Sequence, residues 1–135
     1  MLKRGPKPPL TTYSAKTKQN MLTLYGIPNC DKCRAARKWF EASGADFRFH
    51  DLRADGIDLT IIERWLVTAG DAALINRRST TWRSLSVDQR EGLDAAGNAK
   101  LLLENPTLLK RPLIEQDATL LVGYDEESWQ TLING

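Results

Sequence analysis

The sequence predicts an α/β domain, because short apolar runs with the spacing of strands alternate with longer runs that have the spacing of helices. A chain of 135 residues is long enough for one domain with its own core. Hydrophobic residues make up 41% of the chain and charged residues 27%, as is usual for globular proteins. No apolar run approaches the roughly 20 residues of a membrane-spanning helix, so we expect no membrane partner.

The first predicted elements are a strand, a helix and a second strand. Leu22, Leu24 and Ile27 form an apolar run that Gly26 and Pro28 close, as at the end of a buried strand. A helix is predicted next, because apolar residues recur at helical spacing before a Ser-Gly stop, namely Ala35, Ala36, Trp39 and Phe40 before Ser43 and Gly44. Alternation over residues 46–52 predicts the second strand.

The middle of the chain is predicted to be helical. Asp58 can cap a helix that ends at Gly70 and whose apolar face contains Leu59, Ile62, Trp65, Leu66 and Ala69. Residues 71–86 are less regular. Ser86 and Gln89 fit a capping box that opens a short helix. A further helix over residues 99–104 is expected to stop at the Asn-Pro pair that follows it.

Two strands and a helix are predicted to close the chain. Leu113 and Ile114 begin one strand, and residues 119–122 form another that runs into Gly123. Asp125 can cap a terminal helix. The order β-α-β, a helical stretch and then β-β-α is that of a thioredoxin-like fold with a helical insertion between its two halves. Helices covering both faces would account for the apolar strands.

Charge is unevenly distributed along the chain. Residues 1–20 contain five basic residues and no acidic residue, whereas the rest contains 14 basic and 17 acidic residues. This first segment lacks both apolar periodicity and the continuous apolar region of a signal peptide. We therefore expect a disordered basic N-terminal extension over residues 1–20 and a globular domain over residues 21–135. The domain is mildly acidic, so no nucleic-acid partner is expected, although the extension offers a less favoured alternative.

The strongest chemical signal is the motif Cys30-Asp31-Lys32-Cys33, which lies where the first strand ends and the first helix begins. At a helix N-terminus, unpaired backbone N–H groups and the helix dipole favour a thiolate over a thiol. A nucleophilic Cys30 with Cys33 one turn later is the arrangement that thiol–disulfide exchange needs. The motif therefore predicts redox chemistry.

Three other interpretations of the two cysteines are less favoured. A structural disulfide across this motif would close too small a loop to stabilise the fold much. A zinc site would need further ligands, whereas the chain has no other cysteine and His50 is its only histidine. Two unreactive buried cysteines are the third interpretation. Two cysteines in a single motif also indicate a reducing compartment, so we expect a cytoplasmic protein without a bound metal.

Three motifs resemble the arsenate-reductase-like family, which includes the ArsC, Spx and YffB branches. They are Asn29-Cys30 after the first strand, Arg111-Pro112-Leu113-Ile114 after Asn105-Pro106, and Val122-Gly123-Tyr124 near the end. The resemblance covers residues 21–135. The segment from Asn76 to Arg83 is most similar to the YffB branch, whose members are described as glutathione-dependent thiol reductases.

The resemblance implies a role for several residues. Cys30 would be the nucleophile, Arg111 would lie beside its sulfur, and the peptide bond before Pro112 would be cis. A guanidinium near Cys30 would also lower the pKa of the thiol and bind an anionic group. The candidate residues are, for catalysis, Cys30, Cys33 and Arg111 and, for substrate binding, Asn29, Arg78, Arg83 and Pro112.

One departure from the family pattern bears on the substrate. Members that reduce arsenate carry a third arginine at about the position of Gly123, and their second anion-binding arginine aligns at or beside Asn76. Loss of an oxyanion ligand argues against arsenate reduction, and a glycine leaves room for a bulkier ligand such as a glutathionyl group. Spx-type regulators share the Cys-x-x-Cys motif and bind the α subunit of RNA polymerase.

We therefore expect a thiol-dependent reductase in which Cys33 or external glutathione resolves the intermediate formed on Cys30. Glutathione would be a co-substrate and no cofactor would be bound. Expected partners are glutathione or another small oxidised substrate, together with glutaredoxin or thioredoxin, and the protein is expected to be a monomer. The alternatives are an Spx-like redox-sensing regulator that binds the polymerase α subunit, and a true arsenate reductase.

Overall fold

The computed structural model describes residues 21–91 and 93–135. The N-terminal extension that the sequence predicts over residues 1–20 lies outside the described residues. The strands are β1 (Leu22–Gly26), β2 (Phe47–Asp51), β3 (Leu113–Gln116) and β4 (Thr119–Val122). The helices are α1 (Asp31–Ser43), α2 (Leu59–Ala69), α3 (Asp71–Leu74), α4 (Thr80–Ser84), α5 (Val87–Arg90), α6 (Ala95–Glu104) and α7 (Glu126–Asn134), with a 3₁₀ turn at Pro106–Leu108.

The four strands form one mixed sheet in the order β2-β1-β3-β4. β1 pairs in parallel with β2 and antiparallel with β3, so Leu24 lies between Phe49 and Ile114. β3 then turns through Asp117, which has a φ of 52°, into the antiparallel β4. The α/β, thioredoxin-like fold with a helical insertion between its halves is therefore confirmed.

Helices bury the sheet on both faces. On one face, Phe40 of α1 and Trp129 of α7 are 1% and 0% exposed and pack with Leu24. On the other face, Trp65 of α2 and Tyr25 of β1 are buried together with apolar residues of the insertion. Successive residues of a strand point to opposite faces, which is why Leu24 and Tyr25 enter different cores.

Side-chain caps fix the helix ends at most of the predicted positions. Asp58 accepts a hydrogen bond from the backbone N–H of Ile61 at 2.9 Å, and Ser86 forms the predicted capping box with Gln89. α6 starts at residue 95, four residues earlier than predicted, because Asp94 caps it through the N–H of residue 97. The glycine at position 97 weakens the helical pattern of that first turn.

The insertion, residues 70–104 between α2 and the 3₁₀ turn, is held to residues 105–112, the segment that leads into β3. Ile75 and Leu109 form an isolated antiparallel bridge. On either side of it, the N–H of Asn76 donates to the carbonyl of Leu108 and the N–H of Lys110 donates to the carbonyl of residue 74, each at 2.8 Å. The hydroxyls of Thr81 and Thr107 are also 2.8 Å apart. These contacts bring the start of the insertion next to Arg111.

A carboxylate joins α2 to the sheet. Glu115 of β3 accepts hydrogen bonds from the guanidinium of Arg64 at 2.8 and 3.1 Å and from the indole N–H of Trp65 at 3.1 Å. The hydroxyl of Tyr25 donates to the same carboxylate at 3.3 Å. Burial, followed by the charge of Glu115, raises the pKa of Tyr25 above its usual range.

In the part of the chain that the structure describes, no helix has the length and apolar character needed to span a bilayer.

Candidate active site

Cys30 is the residue that opens α1. Its backbone is extended, with φ −92° and ψ 124°, and its N–H donates to the carbonyl of Ile27 at 3.1 Å. The residue is half-buried. The sulfur therefore lies at the N-terminus of α1, where backbone N–H groups of the first turn have no partner within the helix.

Cys33 lies one turn further into α1 and is fully buried. A Cβ built on Gly26, at the end of β1, would lie 2.6 Å from the Cys33 sulfur. Real Cβ atoms essentially never approach this closely, so residue 26 must be glycine for Cys33 to occupy its position. The close contact between strand and helix is what places the second sulfur behind the first.

The two thiols differ in acidity. Partial burial by itself raises the pKa of Cys30, but hydrogen bonds from the backbone N–H and thiol of Cys33, the charge of Arg111 and the N–H of Lys32 outweigh it, so the pKa is lowered. Burial raises the pKa of the Cys33 thiol to about 12, although a hydrogen bond from the N–H of Ile27 opposes it. Cys30 is therefore the more acidic thiol of the pair, and the thiolate is the reactive form of a cysteine.

Arg111 faces Cys30 from the segment before β3. Its Nη1 makes a long hydrogen bond of 3.5 Å to the carbonyl of Thr107, and its buried Nε has no partner among the described residues. The Arg111–Pro112 peptide bond is cis, as the resemblance implied. The side chain of Arg111 thus keeps hydrogen-bonding capacity for an anionic ligand.

A cleft of about 780 Å³ opens beside Cys30. It is lined by Cys30, Asp31, Lys32, Ala72, Ile75, Asn76, Arg77, Arg78, Lys110, Arg111, Gly123 and Tyr124. The lining comes from the start of α1, the insertion, the segment before β3 and the loop after β4. This volume is within the range of small-molecule sites, roughly 300–1,000 Å³.

The cleft brings together three of the residues that the sequence suggested. Cys30, Arg78 and Arg111 all line it. Asn29 and Arg83 are both exposed and lie outside the lining. The remaining two, Cys33 and Pro112, are buried and also lie outside the lining.

The local path of the chain explains why Arg83 lies outside the cleft. Asn76 accepts a hydrogen bond from the N–H of Arg78 at 3.1 Å, which turns the chain before α4. Ser79 then caps α4 through the N–H of Trp82 at 3.1 Å. Arg78 therefore precedes the helix and faces the cleft, whereas Arg83 lies in the last turn of α4.

The list of candidate residues from the sequence missed six polar or aromatic residues of the lining, namely Asp31, Lys32, Asn76, Arg77, Lys110 and Tyr124. Each is within two residues in the chain of a residue that the motifs had singled out, and this adjacency was the only signal available. Gly123 lines the cleft with a φ of +90°, and a Cβ there would meet nothing within 4 Å. The room that the sequence analysis expected at this position is present.

His50 and the possible metal ligands remain to be placed. The Nε2 of His50 lies 2.6 Å from the carbonyl of Gly56, and its ring packs on Tyr25, with centroids 4.9 Å apart. His50 therefore ties β2 to the following loop. Among residues 21–91 and 93–135, no group of three histidine, cysteine, aspartate or glutamate side chains could hold a metal ion.

Several known proteins are similar to this chain in sequence or in fold. The chain matches the model of the ArsC family over residues 25–132. An uncharacterised protein of Haemophilus influenzae is 42% identical over 110 residues, which is 82% of this chain and 96% of that protein. The global transcriptional regulator Spx of Listeria innocua is 34% identical over 109 residues, which is 79% of this chain and 82% of the regulator. The solved structure of a protein named YFFB has a TM-score of 0.79 at 35% identity, covering 82% of this chain and 97% of that one.

Proposed function

The chain belongs to the ArsC family, and on that basis we propose that it is a glutathione-dependent thiol reductase with Cys30 as its nucleophile. The observation that carries the proposal is the half-buried Cys30 thiol at the N-terminus of α1, with its pKa lowered and an open basic cleft beside it. A lowered pKa increases the thiolate fraction near neutral pH, and the thiolate is the attacking species. We place the reaction in the cytoplasm, where glutathione keeps thiols reduced.

The first chemical step is attack on a mixed disulfide of glutathione with a second thiol. The Cys30 thiolate bonds to the glutathionyl sulfur, the disulfide bond of the substrate breaks, and the second thiol leaves as a thiolate that takes a proton from water. Arg111 would hold a carboxylate of the glutathionyl group, because a guanidinium presents several N–H donors to an anion. The product on the enzyme is a disulfide between Cys30 and glutathione.

The second step regenerates Cys30. A thiolate of free glutathione attacks the glutathionyl sulfur, Cys30 leaves as its thiolate, and glutathione disulfide is released. The net reaction converts one mixed disulfide and one glutathione into one free thiol and one glutathione disulfide. We favour glutathione over Cys33 as the resolving thiol, because Cys33 is fully buried and its pKa is raised to about 12. Glutaredoxin or thioredoxin could act in the place of glutathione.

A coupled assay tests both steps. Glutathione disulfide formation is followed with glutathione reductase, and the oxidised substrates are a mixed disulfide, dehydroascorbate and arsenate. We expect turnover of the mixed disulfide by the unmodified protein, loss of it in Cys30→Ser, and retention of most of it in Cys33→Ser. Cys30-independent turnover would contradict the assignment of the nucleophile, and loss in Cys33→Ser would make Cys33 the resolving thiol.

A regulatory function is the second candidate, and the observation that favours it is the 34% identity to a regulator named Spx. In this case Cys30 and Cys33 would form a redox switch, and the protein would bind the α subunit of RNA polymerase. A pull-down with purified α subunit, using the reduced and oxidised protein, tests this. Binding that depends on both cysteines, together with no reductase turnover, would replace the enzymatic proposal.

A further inference from the structure

The charges that line the cleft are strongly unbalanced. Five cationic side chains, those of Lys32, Arg77, Arg78, Lys110 and Arg111, line it against the single carboxylate of Asp31. That carboxylate forms an ion pair with Arg34, which is outside the lining. The acid in the cleft therefore does little to neutralise the cations around Cys30.

One of the five cations is already paired. Arg77 lies 3.2 Å from Asp71 and stacks over the ring of Trp82 at 5.2 Å from its centroid. The other four have no carboxylate partner among the described residues. The cleft thus presents four unpaired positive charges to whatever binds beside Cys30.

These four charges come from separate parts of the chain. Lys32 is in the first turn of α1, Arg78 is in the insertion, and Lys110 and Arg111 precede β3. Lys110 is half-buried, and its backbone N–H is fixed to the carbonyl of residue 74 at 2.8 Å. Positive charge therefore borders the cleft on more than one side, and one carboxylate beside Arg111 would leave the remaining charges without counterions.

From this arrangement we propose that Lys32 and Lys110 select the substrate by charge, so that the cleft takes small disulfides that carry at least two separated acidic groups. This inference rests on the proposed function and adds the substrate class. A disulfide of this kind places counterions near both lysines, whereas a neutral disulfide leaves like charges facing each other and a cationic one adds to their repulsion.

A series of three disulfides of similar size but different charge tests the proposal. 3,3′-Dithiodipropionate carries two carboxylates, bis(2-hydroxyethyl) disulfide is neutral, and cystamine carries two ammonium groups. The rate at which each forms a mixed disulfide with Cys30 is measured by mass spectrometry. Each rate is divided by the rate with N-acetylcysteinamide under the same conditions, which removes differences in intrinsic reactivity because this reference carries no charge besides its thiolate.

We expect the normalised rates to fall in the order dianionic, neutral, dicationic, and the spread to shrink as salt screens the charges. Lys32→Gln and Lys110→Gln should each lower the rate of the dianionic disulfide about two- to fivefold and leave the neutral one nearly unchanged. Lys100→Gln is the matched control, because it removes the same charge from an exposed position of α6 outside the cleft.

Contrary results have distinct meanings. Equal normalised rates for the dianionic and neutral disulfides would overturn the charge selection while leaving the reductase proposal intact. An equal effect of Lys100→Gln would also overturn it, because net charge would then explain the preference. If no disulfide reacts with Cys30 faster than with N-acetylcysteinamide, the reductase proposal fails and this inference fails with it.

Discussion

At the scale of single residues, the difference in acidity between two nearby thiols is the feature with the clearest chemical consequence. Cys30 should be alkylated by iodoacetamide near neutral pH, whereas Cys33 should react only in strongly alkaline solution, because burial raises its pKa to about 12. Labelling of each cysteine against pH, read by mass spectrometry, measures both. Equal labelling rates at the two sites would contradict the assignment of Cys30 as the nucleophile.

Arg111→Gln should shift the labelling curve of Cys30 to higher pH, because the charge of Arg111 helps to lower the pKa of this thiol. Arg83→Gln is the matched control, since Arg83 is exposed and lies outside the cleft. An unchanged curve in Arg111→Gln would mean that the hydrogen bonds within α1 are sufficient to activate Cys30.

Gly26→Ala should destabilise the protein by about 1–3 kcal/mol, because the added Cβ would lie 2.6 Å from the Cys33 sulfur. Unfolding in urea measures the change. Combining it with Cys33→Ala removes the sulfur, so the double variant should lose less stability than the two single changes added together. Strict additivity would show that the cost of Gly26→Ala arises elsewhere.

The unmodified protein should show negligible arsenate turnover, because Gly123 stands where arsenate-reducing relatives are expected to carry an arginine. Gly123→Arg should raise arsenate turnover, since the position lines the cleft and nothing lies within 4 Å of an added Cβ. The φ of +90° makes any side chain there costly, by about 1–2 kcal/mol. Gly123→Ala carries this strain without the charge and is the control. Efficient arsenate reduction by the unmodified protein would contradict the role given to Gly123.

At the scale of elements, Glu115 is the carboxylate that holds α2 against the sheet. Glu115→Gln should lower the free energy of unfolding by about 1.5–3 kcal/mol, because a neutral amide cannot replace the charge-assisted bonds to Arg64. Urea unfolding of this variant and of Glu104→Gln, an exposed carboxylate of α6, gives the comparison. An equal effect of the two substitutions would contradict the importance of this contact.

Glu115→Gln should also change the pH at which Tyr25 titrates. Tyr25 has its pKa raised in the folded protein, so stability is retained below the usual tyrosine pKa of about 10 and lost as pH rises beyond it. Glu115→Gln removes one cause of the raised pKa, so Tyr25 should titrate at lower pH. Ultraviolet titration in a Tyr13→Phe, Tyr124→Phe background follows Tyr25 alone. An unchanged midpoint would mean that burial is the whole cause.

Elements were predictable where a local signal marks them. The caps at Asp58 and Ser86 are read directly from residue type and spacing, because the capping side chain bonds to backbone only three residues away. The short helices α3 and α4 were not predicted, because four or five residues give no periodicity to detect. Their existence depends on contacts with the rest of the domain.

At the scale of the whole molecule, the fold was predictable because the order of elements in a β-α-β unit and a β-β-α unit leaves few ways to form one sheet. The cleft was only partly predictable. Cys30 and Arg111 belong to recognisable motifs, whereas Asn76 and Arg77 reach the site through pairings between distant segments, such as the bridge of Ile75 with Leu109. The monomeric state and the extension over residues 1–20 stay predictions.

The bridge between Ile75 and Leu109 also adds residues of the insertion to a site whose activating groups lie elsewhere in the chain. The groups that activate Cys30 are backbone N–H groups of α1, the Cys33 thiol and Arg111, and none of them belongs to the insertion. The insertion contributes Asn76 and Arg78 to the lining of the cleft. Mutations in the insertion can therefore change which compound is accepted while the reactivity of the thiol persists. A lineage carrying this fold can diversify its substrates by varying one segment and inherit the same reaction unchanged.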